Sequence, residues 1–205
     1  ARLFWYENKG AHENVFRFTE RPIDVSGRNH PWARGPRRLT GMNLEFADLN
    51  HDQRLDIVLQ ESTSQNVWLE QPYSLDDAWE IHLIGDIHPD RSTGLLLTDI
   101  DGDGDLDLFN GGYSGLPRNI DGNHVTPASP VGRLAWFENP NDPNKPWKRH
   151  DISRRVRGMY DEFSAHDMDG DGDIDLIGTR GNSGEYDGVF WLEQLRTSAP
   201  RKVFF

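Results

Sequence analysis

Three stretches of the chain set oxygen-bearing side chains at alternate positions, with Arg54 the one exception: Asp48-Leu-Asn50-His-Asp52-Gln-Arg54-Leu-Asp56, Asp99-Ile-Asp101-Gly-Asp103-Gly-Asp105-Leu-Asp107 and Asp167-Met-Asp169-Gly-Asp171-Gly-Asp173-Ile-Asp175. A hard cation such as Ca2+ takes about six to eight oxygen ligands, and alternate carboxylates on a tight loop supply several of them at once. In the second stretch the spacing predicts side-chain ligation by Asp99, Asp101, Asp103 and Asp107, with the carbonyl of Asp105 as a further donor and Gly104 taking the turn. The third repeats this with Asp167, Asp169, Asp171 and Asp175, the carbonyl of Asp173 and Gly172. In the first, Asp48, Asn50, Asp52, Asp56 and the carbonyl of Arg54 hold the same register. Gln53 stands there where the turn prefers glycine, and Asn50 removes one charge, so this loop is expected to bind calcium more weakly or to stay empty. Magnesium suits such a cage less well, because it keeps its water. An EF-hand shares the acidic stem but needs a glutamate at its twelfth position and flanking helices; Leu59 and Asn110 stand at that position here, and apolar strand-like runs follow the loops.

The elements that position these loops recur with them. Trp68-Leu-Glu70-Gln71, Trp136-Phe-Glu138-Asn139 and Trp191-Leu-Glu193-Gln194 follow the three loops, and Trp5-Tyr-Glu7-Asn8 forms a fourth copy with no acidic loop before it. Trp79 and Trp147 are each followed three residues later by a histidine, His82 and His150. Trp68 precedes Asp99 by 31 residues and Trp136 precedes Asp167 by the same 31, which argues for one structural unit per repeat. Each unit holds four short runs rich in β-branched, aromatic and leucine residues, broken by Gly, Asn, Asp and Pro, and these read as antiparallel strands. The expected fold is all-β, a β-propeller of four-stranded antiparallel blades. Residues 1–23 would form the outer half of a blade, 39–87, 88–156 and 157–205 whole blades, and 24–38 a basic inter-blade loop. Three and a half blades do not close a ring, so the expectation is a portion of a larger, roughly seven-bladed propeller. The remaining blades would come from a longer chain or from a partner chain.

The acidic loop running into an apolar strand, together with the Trp-x-Glu-Asn strand, resembles the FG-GAP or VCBS repeats of secreted bacterial proteins, which are related to integrin α-subunit propellers. The resemblance implies calcium in up to three structural sites, an extracellular or periplasmic location, and a binding module for glycan or protein ligands. The same family includes adhesins, lectin-like modules and some polysaccharide lyases, so a lyase acting on an acidic polysaccharide stands as one alternative, and a structural subunit of a larger assembly as another.

Composition narrows the partners. The formal net charge is −12 with no basic stripe to match a phosphate backbone, which excludes nucleic acid. No apolar run approaches the length of a membrane span. With no cysteine, disulfide frameworks and thiolate zinc sites are impossible. A ligand face is suggested by two long insertions opposite the metal loops. Trp5 to Asp48 spans 43 residues, and Asp99 to Trp136 spans 37 against 20 and 24 in the other units. Arg28, Trp32 and Arg37 on the first insertion, Arg118 on the second, and Tyr160 and Tyr186 beside them suit an acidic sugar, with guanidinium on carboxylate and aromatic faces on pyranose rings. Were the chain a lyase, His30, His124, Tyr113 and Arg34 would be the catalytic candidates. His82, His150 and the Trp-x-Glu residues read as structural, the glutamate as an inter-blade hydrogen-bonding group.

Overall fold

The computed structural model describes residues 3–12, 15–27, 39–61, 64–113, 133–153, 158–182 and 187–195. Among these residues there is no helix; the strands are β1 (Leu3–His12), β2 (Val15–Ile23), β3 (Val25–Ser26), β4 (Leu39–Ala47), β5 (Asp56–Glu61), β6 (Gln65–Glu70), β7 (Trp79–Asp86), β8 (Arg91–Thr98), β9 (Asp107–Tyr113), β10 (Leu134–Glu138), β11 (Lys148–Ser153), β12 (Met159–His166), β13 (Asp175–Gly181) and β14 (Gly188–Leu192). They follow one another as antiparallel meanders. β4 to β7 form the first unit, β8 to β11 the second, and β12 to β14 the described part of the third. The second and third share a sheet through the single pairing of Met159 with Tyr113. No closed ring is formed among the described residues. The N-terminal hairpin stands as its own two-stranded sheet, and its Trp5 strand pairs only with β2 among the described residues.

Alternation along the strands divides each sheet into two apolar faces, because successive side chains of a strand point to opposite sides. Val58, Trp68 and Ile84 of the first unit pack with Leu95, Leu108, Phe137 and Trp147 of the second. Ile57, Leu59, Val67, Leu69 and Ile81 point the other way and meet Leu3 and Ile23 of the hairpin. Phe109 and Leu134 of the second unit pack with Tyr160, Phe163 and Leu176 of the third. A strand caught between two such interfaces is covered on both faces, and all six residues of β5 are buried, Ile57, Val58 and Leu59 forming its apolar centre.

The leading strands of the three units, β4, β8 and β12, lie close together, with β8 touching both others. Each carries a break in register, between Thr40 and Glu45, Ser92 and Leu95, and Tyr160 and Phe163. Such breaks free backbone groups from the ladder for other partners. The Tyr160 carbonyl accepts from Thr93 Oγ1 at 2.9 Å and the Asp161 carbonyl from Asn43 Nδ2 at 2.7 Å, which ties β12 to both earlier units. This approach requires bare backbone: a Cβ on Gly94 would lie 2.6 Å from the Tyr160 carbonyl oxygen, and one on Gly111 would lie 2.4 Å from it.

One element differs from the sequence expectation. The start of the 24–38 insertion is a strand, for β3 adds in parallel to β7, with Val25 opposite Trp79 and Ser26 opposite Glu80. The first sheet thus has five strands, and its outer edge is partly covered.

Candidate metal centres and the opposite loop face

The three acidic loops fold the same way because each opens with an Asp whose carboxylate gathers the backbone N–H groups of the turn. Asp99 accepts from Gly102 at 2.8 Å and Gly104 at 3.1 Å. Asp167 accepts from Gly170 at 2.7 Å and Gly172 at 3.1 Å, and Asp48 from Asp52 at 2.9 Å and Gln53 at 2.7 Å. The turn needs left-handed backbone at two positions, supplied by Gly102 and Gly104 with φ of 81° and 99° and by Gly170 and Gly172 with 82° and 92°. In the first loop His51 and Gln53 hold the same conformation at 59° and 67°, which a side chain tolerates poorly.

The last Asp of each loop opens the next strand and does work the spacing did not disclose. Asp56 accepts from the N–H of Leu49 at 3.0 Å and of Gln71 at 2.9 Å. Asp107 accepts from Ile100 at 3.0 Å and Asn139 at 2.9 Å, and Asp175 from Met168 at 3.1 Å and Gln194 at 2.9 Å. Each carboxylate therefore pins its own loop to the residue just after the Trp-x-Glu motif, which explains why the two motifs recur together. Burial pushes the Asp56 carboxyl up to about 6 and Asp107 up to about 7, against the backbone bonds that favour their ionised forms. At Asp175 the N–H of Gln194 prevails and holds the carboxyl below its ordinary value.

The carboxylates of Asp99, Asp101 and Asp107 bring ligand atoms within 4.8 Å of one another, as do those of Asp167, Asp169 and Asp171. An all-oxygen set on a glycine-rich turn fits calcium in chemistry. Burial raises the Asp101 carboxyl above its ordinary value, and the neighbouring Asp103 carboxylate adds to the shift. Asp103 and Asp105 lie on the same turn, Asp103 Oδ1 accepting from the Asp105 N–H at 3.0 Å; Asp173 is buried. Among the described residues the first loop forms no such group. There the Arg54 guanidinium pairs with the Asp52 carboxylate and also donates to the Gln71 carbonyl at 2.8 Å, so a resident cation already sits in the loop. Asn50 turns its amide toward Glu70, 3.1 Å away. Adjacent loops touch: His51 Nε2 lies 3.2 Å from Asp105 Oδ1.

The Trp-x-Glu glutamates bond within their own sheet, not between sheets as the sequence suggested. The ring of His82 stacks on Trp68 at 4.3 Å and faces Glu70 at 3.1 Å; His150 stacks on Trp136 at 4.2 Å and faces Glu138 at 2.6 Å. Arg21 takes the histidine's place opposite Trp5 and donates to Glu7 at 2.9 Å. Lys148, together with His150, holds Glu138 below its ordinary pKa.

The insertions leave from the strand ends remote from the acidic loops. β5 and β9 begin at Asp56 and Asp107, and their far ends, Glu61 and Tyr113, lie opposite Leu39 and Arg91. Tyr113 is half-buried at this end. The base of the second insertion is fixed by the Gly112 N–H on the Arg133 carbonyl at 2.7 Å and by the buried Arg133, 4.0 Å from Asp90. Tyr160 is a correction: it is fully buried, edge-on to Phe190, because it lies on the face of β12 turned into the sheet interface. Arg28, His30, Trp32, Arg34, Arg37, Arg118, His124 and Tyr186 lie outside the described residues. A cleft of about 560 Å³ runs elsewhere, between β7 and the Pro143–Trp147 turn.

Residues 48–110 match the family model described as FG-GAP-like repeat, a span that runs from the first acidic loop into β9 and includes the second loop. This repeat is the one implied by the sequence resemblance. No curated protein matches the chain.

Proposed function

We propose that the chain is part of a calcium-stiffened β-propeller whose blades present a ligand face opposite their metal loops. The observation that carries this reading is the placement, in two successive units, of three loop carboxylates within 4.8 Å of one another at the same turn between the first and second strands. A cation bound there would neutralise the gathered charge and fix the turn on which Asp107 or Asp175 clamps the third strand. The ring arrangement is supported by the three leading strands lying together, as blades do around an axis. The edge of β1 away from β2, which pairs with no other strand among the described residues, and the exposed Phe16, Phe18, Met42 and Phe46 suit further strands of the same kind, from a longer chain or a partner.

On this reading the ligand is a glycan or a protein, met by the basic insertion and by the loop rooted at Tyr113 and Arg133, and the protein acts outside the cytoplasm. Rigid strands carrying long loops are where binding residues gather. Calorimetric titration with calcium should show two sites of similar affinity. Binding would then be sought on a panel of acidic glycans, with ultraviolet absorbance followed for an unsaturated product. Calcium titration with no heat and no thermal stabilisation would overturn the metal reading, and product formation would move the chain to the lyases.

A further inference from the structure

Three of the four Trp-x-Glu copies have their next strand among the described residues and invite comparison at one position, the residue directly opposite the glutamate. Opposite Glu7 stands Thr19, and opposite Glu138 stands Lys148, whose Nζ donates to that carboxylate at 2.9 Å. Opposite Glu70 stands a second acid, Glu80. Like charges facing each other across an antiparallel pair destabilise it. Among the described residues no ion pair gives Glu80 a cation.

We propose that Glu70, Glu80 and His82 form a binding site for a divalent transition-metal ion of the zinc class, distinct from the calcium loops. One ligand atom from each lies within 4.8 Å of the other two. His82 Nε2 and Glu70 Oε2 are 3.1 Å apart, close to the edge of about 3.3 Å that separates two ligands of a tetrahedral zinc with bonds of about 2.0 Å. The imidazole is oriented in advance by its 17° stack on Trp68, and Glu70 Oε1 is steadied by the Asn50 amide at 3.1 Å. Such outer contacts hold metal ligands in place. An imidazole nitrogen with two carboxylates selects a borderline ion over calcium, which takes oxygen ligands. Three protein ligands with half-exposed Glu70 and exposed Glu80 leave a fourth position open to water or to a group from a partner.

The second unit supplies the control substitution, because Glu80→Lys recreates the pairing of Lys148 with Glu138 and should fold. Zinc titration would be run with calcium saturating, so that the acidic loops do not compete. The wild-type chain should take up one zinc ion that shifts the His82 imidazole resonances. Glu80→Lys and His82→Phe should each weaken that site at least tenfold while leaving calcium-induced stabilisation unchanged. Equal zinc affinity in wild type and Glu80→Lys, or zinc uptake that leaves the His82 ring unmoved, would overturn the assignment. Because calcium stabilisation is read in the same samples, failure of this site is distinguishable from failure of the calcium reading.

Discussion

Asp56 and Asp107 occupy equivalent places and make equivalent backbone bonds, yet only Asp107 belongs to a gathered carboxylate group, so the pair separates the clamp from the proposed metal site. Replacement by asparagine keeps one acceptor oxygen and turns an amide N–H toward the second backbone N–H. One buried donor then loses its partner at each site, which costs about 1–3 kcal/mol. That loss should be alike in Asp56→Asn and Asp107→Asn when calcium is removed by a chelator. With free calcium at about a hundred times the dissociation constant, each filled site adds about 2.7 kcal/mol to the folded state. If both proposed sites fill, the wild-type gain should be about 5.4 kcal/mol; Asp56→Asn should retain it, and Asp107→Asn should retain about half. Urea denaturation with chelator and with excess calcium gives the four differences by linear extrapolation. The reasoning fails if both variants lose the same share of the calcium-dependent gain, or if Asp107→Asn loses none.

The calcium-free protein should lose stability as pH rises. Asp56 and Asp107 have folded pKa values near 6 and 7 against 3.8 for the free group, so between about pH 4 and 7 the folded chain binds more protons than the unfolded one. Their favourable contribution is complete below about pH 4 and gone once pH passes 7; melting in chelator at about pH 4.5 and 7.5 checks this, and the Asp56→Asn/Asp107→Asn double variant should flatten the slope. Gly94→Ala should destabilise by about 1–3 kcal/mol or more, since its Cβ would meet Phe163 at 2.4 Å and the Tyr160 carbonyl at 2.6 Å. Gly181→Ala, with nothing within 4 Å, should change the urea midpoint little. Asn110→Leu should cost about 2–4 kcal/mol, because the Asn110 side chain receives the Asn66 amide at 2.9 Å and donates to the Gly94 carbonyl at 2.8 Å inside the interface of the first two units; thermal melts measure the loss.

The sequence by itself determined the strands and their turns. Alternating apolar residues dictate a two-faced strand wherever they fall, and Asp-x-Asp-x-Asp with glycine between them folds locally through bonds spanning at most five residues. The repeat therefore announced the loops, the four-stranded unit and even the odd first loop, whose Gln53 must hold a glycine-like φ. Tertiary structure decided everything that depends on register or on a neighbouring sheet. The pairing of Glu70 with Glu80 exists only once β6 and β7 align, and the bond from Asp107 to Asn139 bridges 32 residues. Tyr160 appeared available to a ligand because a tyrosine's polarity says nothing of which face of β12 it occupies; packing against Phe190 settled that. Arg54 looked like a mere carbonyl donor, since sequence carries no sign of where a long side chain will fold back. Local chemistry is written along the chain, whereas burial and charge pairing arise between segments whose separation only the fold removes.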